Sequence, residues 1–318
     1  MAATLMNLPA ELQLRIVEQV AGLDTVEQCR ESLREPSVDD RHFALGSSRL
    51  YTAHRAARQH LQAFSEAGHR FEELAAPFTA LGLHLDHPCD ARHVLAVAAR
   101  HGRCVRFLRT SIGVDLSPAT FGSILQLCPN IQSLSIWDHA TDWRAWAPLL
   151  APLTALDLHL HPPYQQGHLC ESTVHSLFAR VASTLESLSL SVYPVGATRI
   201  LSPSLAADEA QGLDGQAPWH LLQPLPFSPQ LRRVSFLGHW PGGALHLLKG
   251  CPSICQVAHY GSPTFEEVKS FLMDHPGVHS DLRVLSIANR TRCKMPHAAP
   301  WQALHEVARQ AGWAIASL

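Results

Sequence analysis

The amino-acid sequence predicts an α/β fold in which short parallel strands stack side by side, each followed by a helical connection. Three observations predict it: a six-residue apolar phrase that recurs along the chain, helical apolar spacing between its copies, and a composition that can sustain a continuous core. The 318 residues are 46% hydrophobic and 16% charged, which argues against wholesale disorder. Lys and Arg total 25 against 27 Asp and Glu, so there is no basic field to gain free energy from counterion release, and a nucleic-acid partner is not expected. No apolar run reaches the roughly 18 residues of a membrane span. The cysteines (Cys29, Cys89, Cys104, Cys128, Cys170, Cys251, Cys255 and Cys293) are scattered. The N-terminus lacks the basic start and apolar core of a secretory signal. Reduced thiols and a cytoplasmic or nuclear location are therefore expected.

The first element is a helix within residues 5–20. Asn7 can cap it, Glu11 lies in its early turns, and Leu12, Ile16 and Val20 share a face into which Leu8 leads. A second candidate helix covers about 25–33. A third covers about 40–61, with Phe43, Leu45, Leu50 and Tyr51 as apolar members. The chain is thus expected to divide into a helical segment over 1–62 and a repeat array over 63–318.

The array rests on the phrase apolar-x-x-apolar-x-apolar. Its cleanest copies are Ile131-Gln-Ser-Leu134-Ser-Ile136, Leu153-Thr-Ala-Leu156-Asp-Leu158, Leu185-Glu-Ser-Leu188-Ser-Leu190, Leu231-Arg-Arg-Val234-Ser-Phe236 and Leu282-Arg-Val-Leu285-Ser-Ile287. Weaker copies begin at Phe78, Val105 and Ile254. Successive starts fall 27, 26, 22, 32, 46, 23 and 28 residues apart. Most of these lie in the range of about 20–29 residues that characterises leucine-rich repeats. The last two apolar positions of a phrase are two apart and share one face of a strand. One such strand cannot bury its face alone, whereas parallel copies build a sheet with a shared core. The expected architecture is a leucine-rich-repeat solenoid, with parallel strands on the concave face and helices on the convex face.

Between the phrases, Ser117-Pro118 opens a helix, Ser as cap and Pro in the first turn, with Phe121, Ile124, Leu125 and Cys128 at helical spacing. Three more stripes follow: Val174, Leu177, Phe178 and Val181; Phe265, Val268, Phe271 and Leu272; and Trp301, Leu304, Val307 and Ala308. Proline after Leu127-Cys128 and after Gly250-Cys251 stops two of the helices. These residues specify architecture rather than activity.

Leu8-Pro9-x-Glu11-Leu12-x-x-x-Ile16 resembles the opening of the F-box motif, and Ala44-Leu45-Gly46-Ser47-Ser48-Arg49-Leu50-Tyr51 resembles its third-helix region. The chain departs from that motif at Glu35–Asp40, which lengthens the middle connection, and in lacking a late tryptophan. Cys128-Pro129-Asn130-Ile131 also resembles the phrasing of F-box proteins with leucine-rich repeats. The resemblance implies a non-catalytic substrate-recognition subunit of a cullin–RING (SCF-type) ubiquitin ligase. In such a subunit Leu8, Pro9, Glu11, Leu12 and Ile16 would dock the Skp-type adaptor while the repeats hold a target protein. The alternative is a repeat scaffold unrelated to ubiquitination, in which the N-terminal helix merely caps the array.

Alternation along each strand predicts three outward columns. The first is Ser133, Ala155, Ser187, Arg233, Gln256 and Val284; the second is Ser135, Asp157, Ser189, Ser235, Ala258 and Ser286. The third is Trp137, His159, Ser191, Leu237, Tyr260 and Ala288. Aromatic anchors beside a low floor suit a protein partner, so Trp137, His159 and Tyr260, with Arg233, are the expected target contacts. Packing against inserted loops is the competing role for the same residues. Two long insertions, at 161–170 and 194–229, are placed to lie over that face.

Catalytic signatures are missing. There is no nucleophile elbow, phosphate loop or dinucleotide fingerprint. The 21 histidines include the groups His84, Asp86, His87, Cys89 and His159, His161, His168, Cys170, neither of which has the paired spacing of a zinc site. Cys251 and Cys255, near His246 and His259, read as buried structural thiols. Neither a metal nor a cofactor is expected.

Overall fold

The computed structural model describes residues 8–20, 82–85, 90–110, 116–137, 146–150, 152–160, 177–192, 224–238, 244–259, 263–275, 283–287 and 299–317. The candidate helices at 25–33 and 40–61 and most of both insertions lie outside these residues. The described elements begin with α1 (Ala10–Val20), β1 (Gly82–Leu85), α2 (Ala91–His101), β2 (Phe107–Thr110), α3 (Pro118–Leu127), β3 (Ser133–Trp137) and β4 (Ala155–Leu160). They continue with β5 (Ser187–Val192), β6 (Arg233–Gly238), β7 (Gln256–His259), α4 (Phe265–Asp274), β8 (Arg283–Ile287), α5 (Ala299–Gln310) and β9 (Trp313–Ser317). Short 3-10 helices cover Gly102–Cys104, Ala147–Leu149 and Ala244–Gly250, and residues 177–181 are helical.

The nine strands form one all-parallel sheet whose order is the order of the sequence. This is an α/β fold compatible with a solenoid. The register aligns the fourth position of every phrase: Leu83, Leu108, Leu134, Leu156, Leu188, Val234, Val257, Leu285 and Ile315 form one ladder. That ladder places the first copy two residues later than expected. Leu83 rather than Leu81 pairs with Leu108, so the phrase begins at Ala80 instead of Phe78. Both readings put a leucine at the fourth position, and only strand pairing separates them.

Helices line one side of the sheet in matching order. α2 touches α3, α3 touches the 147–149 turn, the 244–250 turn touches α4, and α4 touches α5. Ser117 caps α3 by accepting a hydrogen bond from Thr120 N at 3.1 Å. Cys128 N then closes the helix on Ile124 O and Leu125 O before Pro129 prevents its continuation. Phe121, Ile124 and Leu125 are buried against the leucine ladder, and Phe121 meets the buried Trp146 edge-on at 5.1 Å. Each fully buried leucine is worth about 2 kcal/mol relative to exposure. Leu177, Phe178 and Val181 are likewise buried, as are Val268, Phe271, Leu272, Leu304 and Ala308. Before Cys251 the chain forms a 3-10 segment instead of an α-helix: Cys251 N bonds Leu248 O, three residues back. Gly312, at φ 76°, supplies the left-handed residue that turns α5 into β9. Trp313–Ser317 is thus a ninth strand.

A backbone device recurs where β3, β4, β5, β6 and β7 begin. Two consecutive N–H groups donate to one carbonyl of the preceding unit. Gln132 and Ser133 bond Arg106 O, Thr154 and Ala155 bond Gln132 O, and Glu186 and Ser187 bond Thr154 O. Arg232 and Arg233 bond Glu186 O, and Cys255 and Gln256 bond Arg232 O, all within 2.8–3.1 Å. A carbonyl has two lone pairs, so the arrangement satisfies both donors of the incoming strand.

Candidate partner-binding surfaces

Two surfaces carry the residues singled out by sequence. On α1 the Pro9 carbonyl accepts from Leu12 N at 3.0 Å and Gln13 N at 3.1 Å, so proline sits just ahead of the first turn, where its missing N–H costs nothing. Gln13 Nε2 donates to Leu8 O at 2.8 Å and fixes the approach of the chain. Gln13 and Val17, four apart, point inward and are buried. Leu12 is 47% exposed, Ile16 and Leu8 are half-buried, and Pro9 is exposed. Glu11 lies in the first turn of α1. The helix therefore has two apolar edges, one turned into the protein and one, led by Leu12, turned out.

The second surface is the sheet face opposite the helices. The register sets Ser133, Ala155, Ser187, Arg233, Gln256 and Val284 in one row. Ser135, Asp157, Ser189, Ser235, Ala258 and Ser286 form the next, and Trp137, His159, Ser191 and Leu237 the third. Tyr260 and Ala288 lie outside the described residues. Trp137 and His159 are direct register partners on β3 and β4. Arg233 belongs to the first row of β6. Four residues along and two strands across put its backbone roughly 16 Å from that of His159. The sequence-named target contacts are therefore not one cluster.

The expectation that these columns face solvent is corrected for most of their polar members. His159 is only 8% exposed and Arg233 only 3%, and Ser135, Asp157, Ser191, Ser235, Gln256 and Ser286 are also buried. Alternation fixes which face a side chain takes. It does not say whether that face is covered, and all-parallel sheets are commonly covered on both. Within this face Asp157 is a hub: one carboxylate oxygen, Oδ2, accepts from Ser135 Oγ at 3.1 Å and lies 3.1 Å from His159 Nε2. Such a buried polar cluster fixes the relative position of neighbouring strands.

Of the two histidine-rich groups in the sequence, only His84 and His159 are among the described residues, where no three His, Cys, Asp or Glu side chains converge to hold a metal ion. Burial pushes the Cys128 thiol up to about 11. It pushes Cys251 up to about 12 against a small opposing hydrogen bond from Ser228. Cys255 Sγ donates to Arg232 O at 3.4 Å. Thiols so held are poor nucleophiles. No described helix is long and apolar enough to cross a membrane.

The fold defines an α/β protein of strands stacked in sequence order, with one outward apolar helix edge at its start. The chain matches no family model and no curated protein sequence.

Proposed function

We propose that the chain is the substrate-recognition adaptor of an SCF-type ubiquitin ligase, built as an F-box-like helical segment followed by a leucine-rich-repeat solenoid. In this reading α1 docks a Skp-type adaptor through Leu8, Pro9, Glu11, Leu12 and Ile16, and the repeats bind a target protein. The observation that carries it is Leu12, a large aliphatic side chain left 47% exposed on a helix whose other apolar edge is already buried. Such an edge suits a helix laid against a partner's apolar groove. The target contacts are proposed at Trp137 and Tyr260, without His159 and Arg233, whose side chains are buried.

One observation favours the scaffold reading: Gln13 and Val17 are buried, as they would be in a helix that caps the array. Pull-down of purified Skp-type adaptor separates the two. Wild type should retain it, while Leu12→Asp and the Leu8→Ala, Pro9→Ala double variant should lose it with the circular dichroism spectrum unchanged. Equal capture by all three, or none by wild type, would favour the scaffold.

A further inference from the structure

Residues 91–109 carry five arginines and no carboxylate, in a chain where Asp and Glu outnumber Lys and Arg by 27 to 25. Three of them, Arg100, Arg103 and Arg106, fall close together where α2 runs into the 102–104 turn and on toward β2. The Arg103 carbonyl ties this cluster to the next unit: it accepts from Arg106 Nη1 at 3.0 Å and from Asn130 Nδ2 at 2.8 Å. Arg106 Nη1 also reaches Val105 O at 3.4 Å, so that guanidinium is held in place while its Nε and Nη2 remain to donate.

The partially negative end of α2 accounts for basic residues there. It does not supply them with partners: the Arg100 and Arg103 side chains are exposed and form no hydrogen bond or ion pair among the described residues. Burial first, and then the Arg100 charge, hold the His101 imidazole below its ordinary proton affinity, as an uncompensated cation beside it would. The neighbouring elements bring no offsetting acid among the described residues. α3, which packs on α2, has no charged residue. Asp90 caps the far end of α2, roughly 16 Å off. Along the rim where the strands begin, Arg106, Gln132, Thr154 and Glu186 occupy equivalent places, so the first carboxylate of that row is three strands, roughly 14 Å, away.

An apolar side chain stands at the same place. Leu127, the last residue of α3, is 37% exposed. Its backbone is pressed against Gly102, between Arg100 and Arg103, so closely that a Cβ on Gly102 would overlap the Leu127 carbonyl. We propose that Arg100, Arg103 and Arg106 around Leu127 form a docking surface for an acidic segment of a partner protein, one in which carboxylates flank an apolar residue. The guanidiniums take the carboxylates, Arg106 from a fixed position, and Leu127 receives the apolar side chain. This surface uses neither α1 nor the sheet face of Trp137, and so does not rest on the ligase reading.

The test is fluorescence anisotropy of a fluorescein-labelled peptide, Gly-Glu-Glu-Leu-Glu-Glu-Gly, titrated with the full chain at about 0.1 M salt, where exposed charges are screened beyond about 10 Å. Wild type should bind it, and Arg100→Glu and Arg103→Glu should each weaken binding about tenfold. Leu127→Ser should weaken it about fivefold. The same peptide with glutamines in place of glutamates should not bind. Arg92→Glu makes the same charge change at the other end of α2 and should bind as wild type does. Circular dichroism verifies that each variant is folded. No binding by wild type, undiminished binding by Arg100→Glu and Arg103→Glu, or an equal loss on Arg92→Glu overturns the proposal. So does tighter binding of phosphatidylserine vesicles or single-stranded RNA than of the peptide.

Discussion

Gly102 tests how tightly neighbouring units are pressed together. It sits at the end of α2 with φ −58°, a conformation any residue adopts, so backbone freedom does not explain it. Contact does. A Cβ there would lie 2.1 Å from Leu127 O, 2.8 Å from Leu127 C and 3.2 Å from Cys128 Sγ. Reaching ordinary contact requires the two segments to part by about 1 Å or more. Neither yields easily, because Cys128 N is bonded to Ile124 O and Leu125 O, and Asn130 Nδ2 donates to Arg103 O at 2.8 Å, stitching the two turns together. Overpacking of this kind costs about 1–3 kcal/mol, and losing the Asn130 bond adds about 1 kcal/mol. The smaller entropy of the unfolded alanine chain returns about 0.4–1 kcal/mol. Gly102→Ala should therefore destabilise by about 2–3 kcal/mol in urea unfolding followed by circular dichroism. Gly122→Ala is the control: its Cβ meets only the movable end of Leu149, at 3.2 Å, and a mid-helix glycine is replaced. That change should be neutral or stabilising by up to about 1 kcal/mol. A Gly102→Ala protein as stable as wild type would refute the inference that the units meet backbone to backbone at this point.

Three further outcomes are expected. Ser117→Ala removes the oxygen that caps α3 and should cost about 1 kcal/mol in the same unfolding assay, and no loss would mean that the cap is not formed. Brief iodoacetamide treatment near pH 8 should leave the Cys128 and Cys251 peptides unmodified in the folded protein and alkylate them in urea; mass spectrometry that finds them labelled without denaturant would contradict their burial. Hydrogen bonds from Arg309 and Gln310 hold the fully exposed Glu306 carboxyl down at about 2, against an ordinary 4.5. A depressed carboxylate stabilises above its ordinary value and loses that contribution as pH falls, so the small stability gap between wild type and Glu306→Gln should close on acidification from 4.5 to 2. A gap unchanged by acid would show that the carboxyl gains nothing from its partners.

The strands were readable because a phrase with two apolar residues on one face has a single register that buries them all, as Leu134, Leu156, Leu188 and Leu285 do. The helices were readable where a cap and a proline bracket the stripe, as at Ser117 and Pro129. Three features escaped. The first phrase slipped by two residues because Leu81 and Leu83 fit the pattern equally well until strand pairing distinguishes them. The turn at 244–250 tightened into a 3-10 form that its apolar residues do not signal. The polar columns proved buried because alternation assigns a face and says nothing of its cover, which is why His159 and Arg233 were read as surface contacts. At α1 the sequence names an apolar edge at Leu12 and Ile16. It does not reveal that Gln13 and Val17 are the residues turned inward, since a glutamine is buried only when a carbonyl such as that of Leu8 is there to receive it.

The shared carbonyls that receive β3 to β7 have a corollary for how the surface can vary. Gln132, Thr154, Glu186 and Arg232 occupy equivalent places, yet they span neutral, acidic and basic chemistry, because main-chain atoms carry the shared bonds that hold neighbouring strands in line, with Thr154 Oγ1 adding a bond to the Gln132 carbonyl. Any amino acid except proline keeps those atoms. A rim of positions is thereby released from structural duty, and its charge pattern can drift toward a new partner while the stack beneath stays the same.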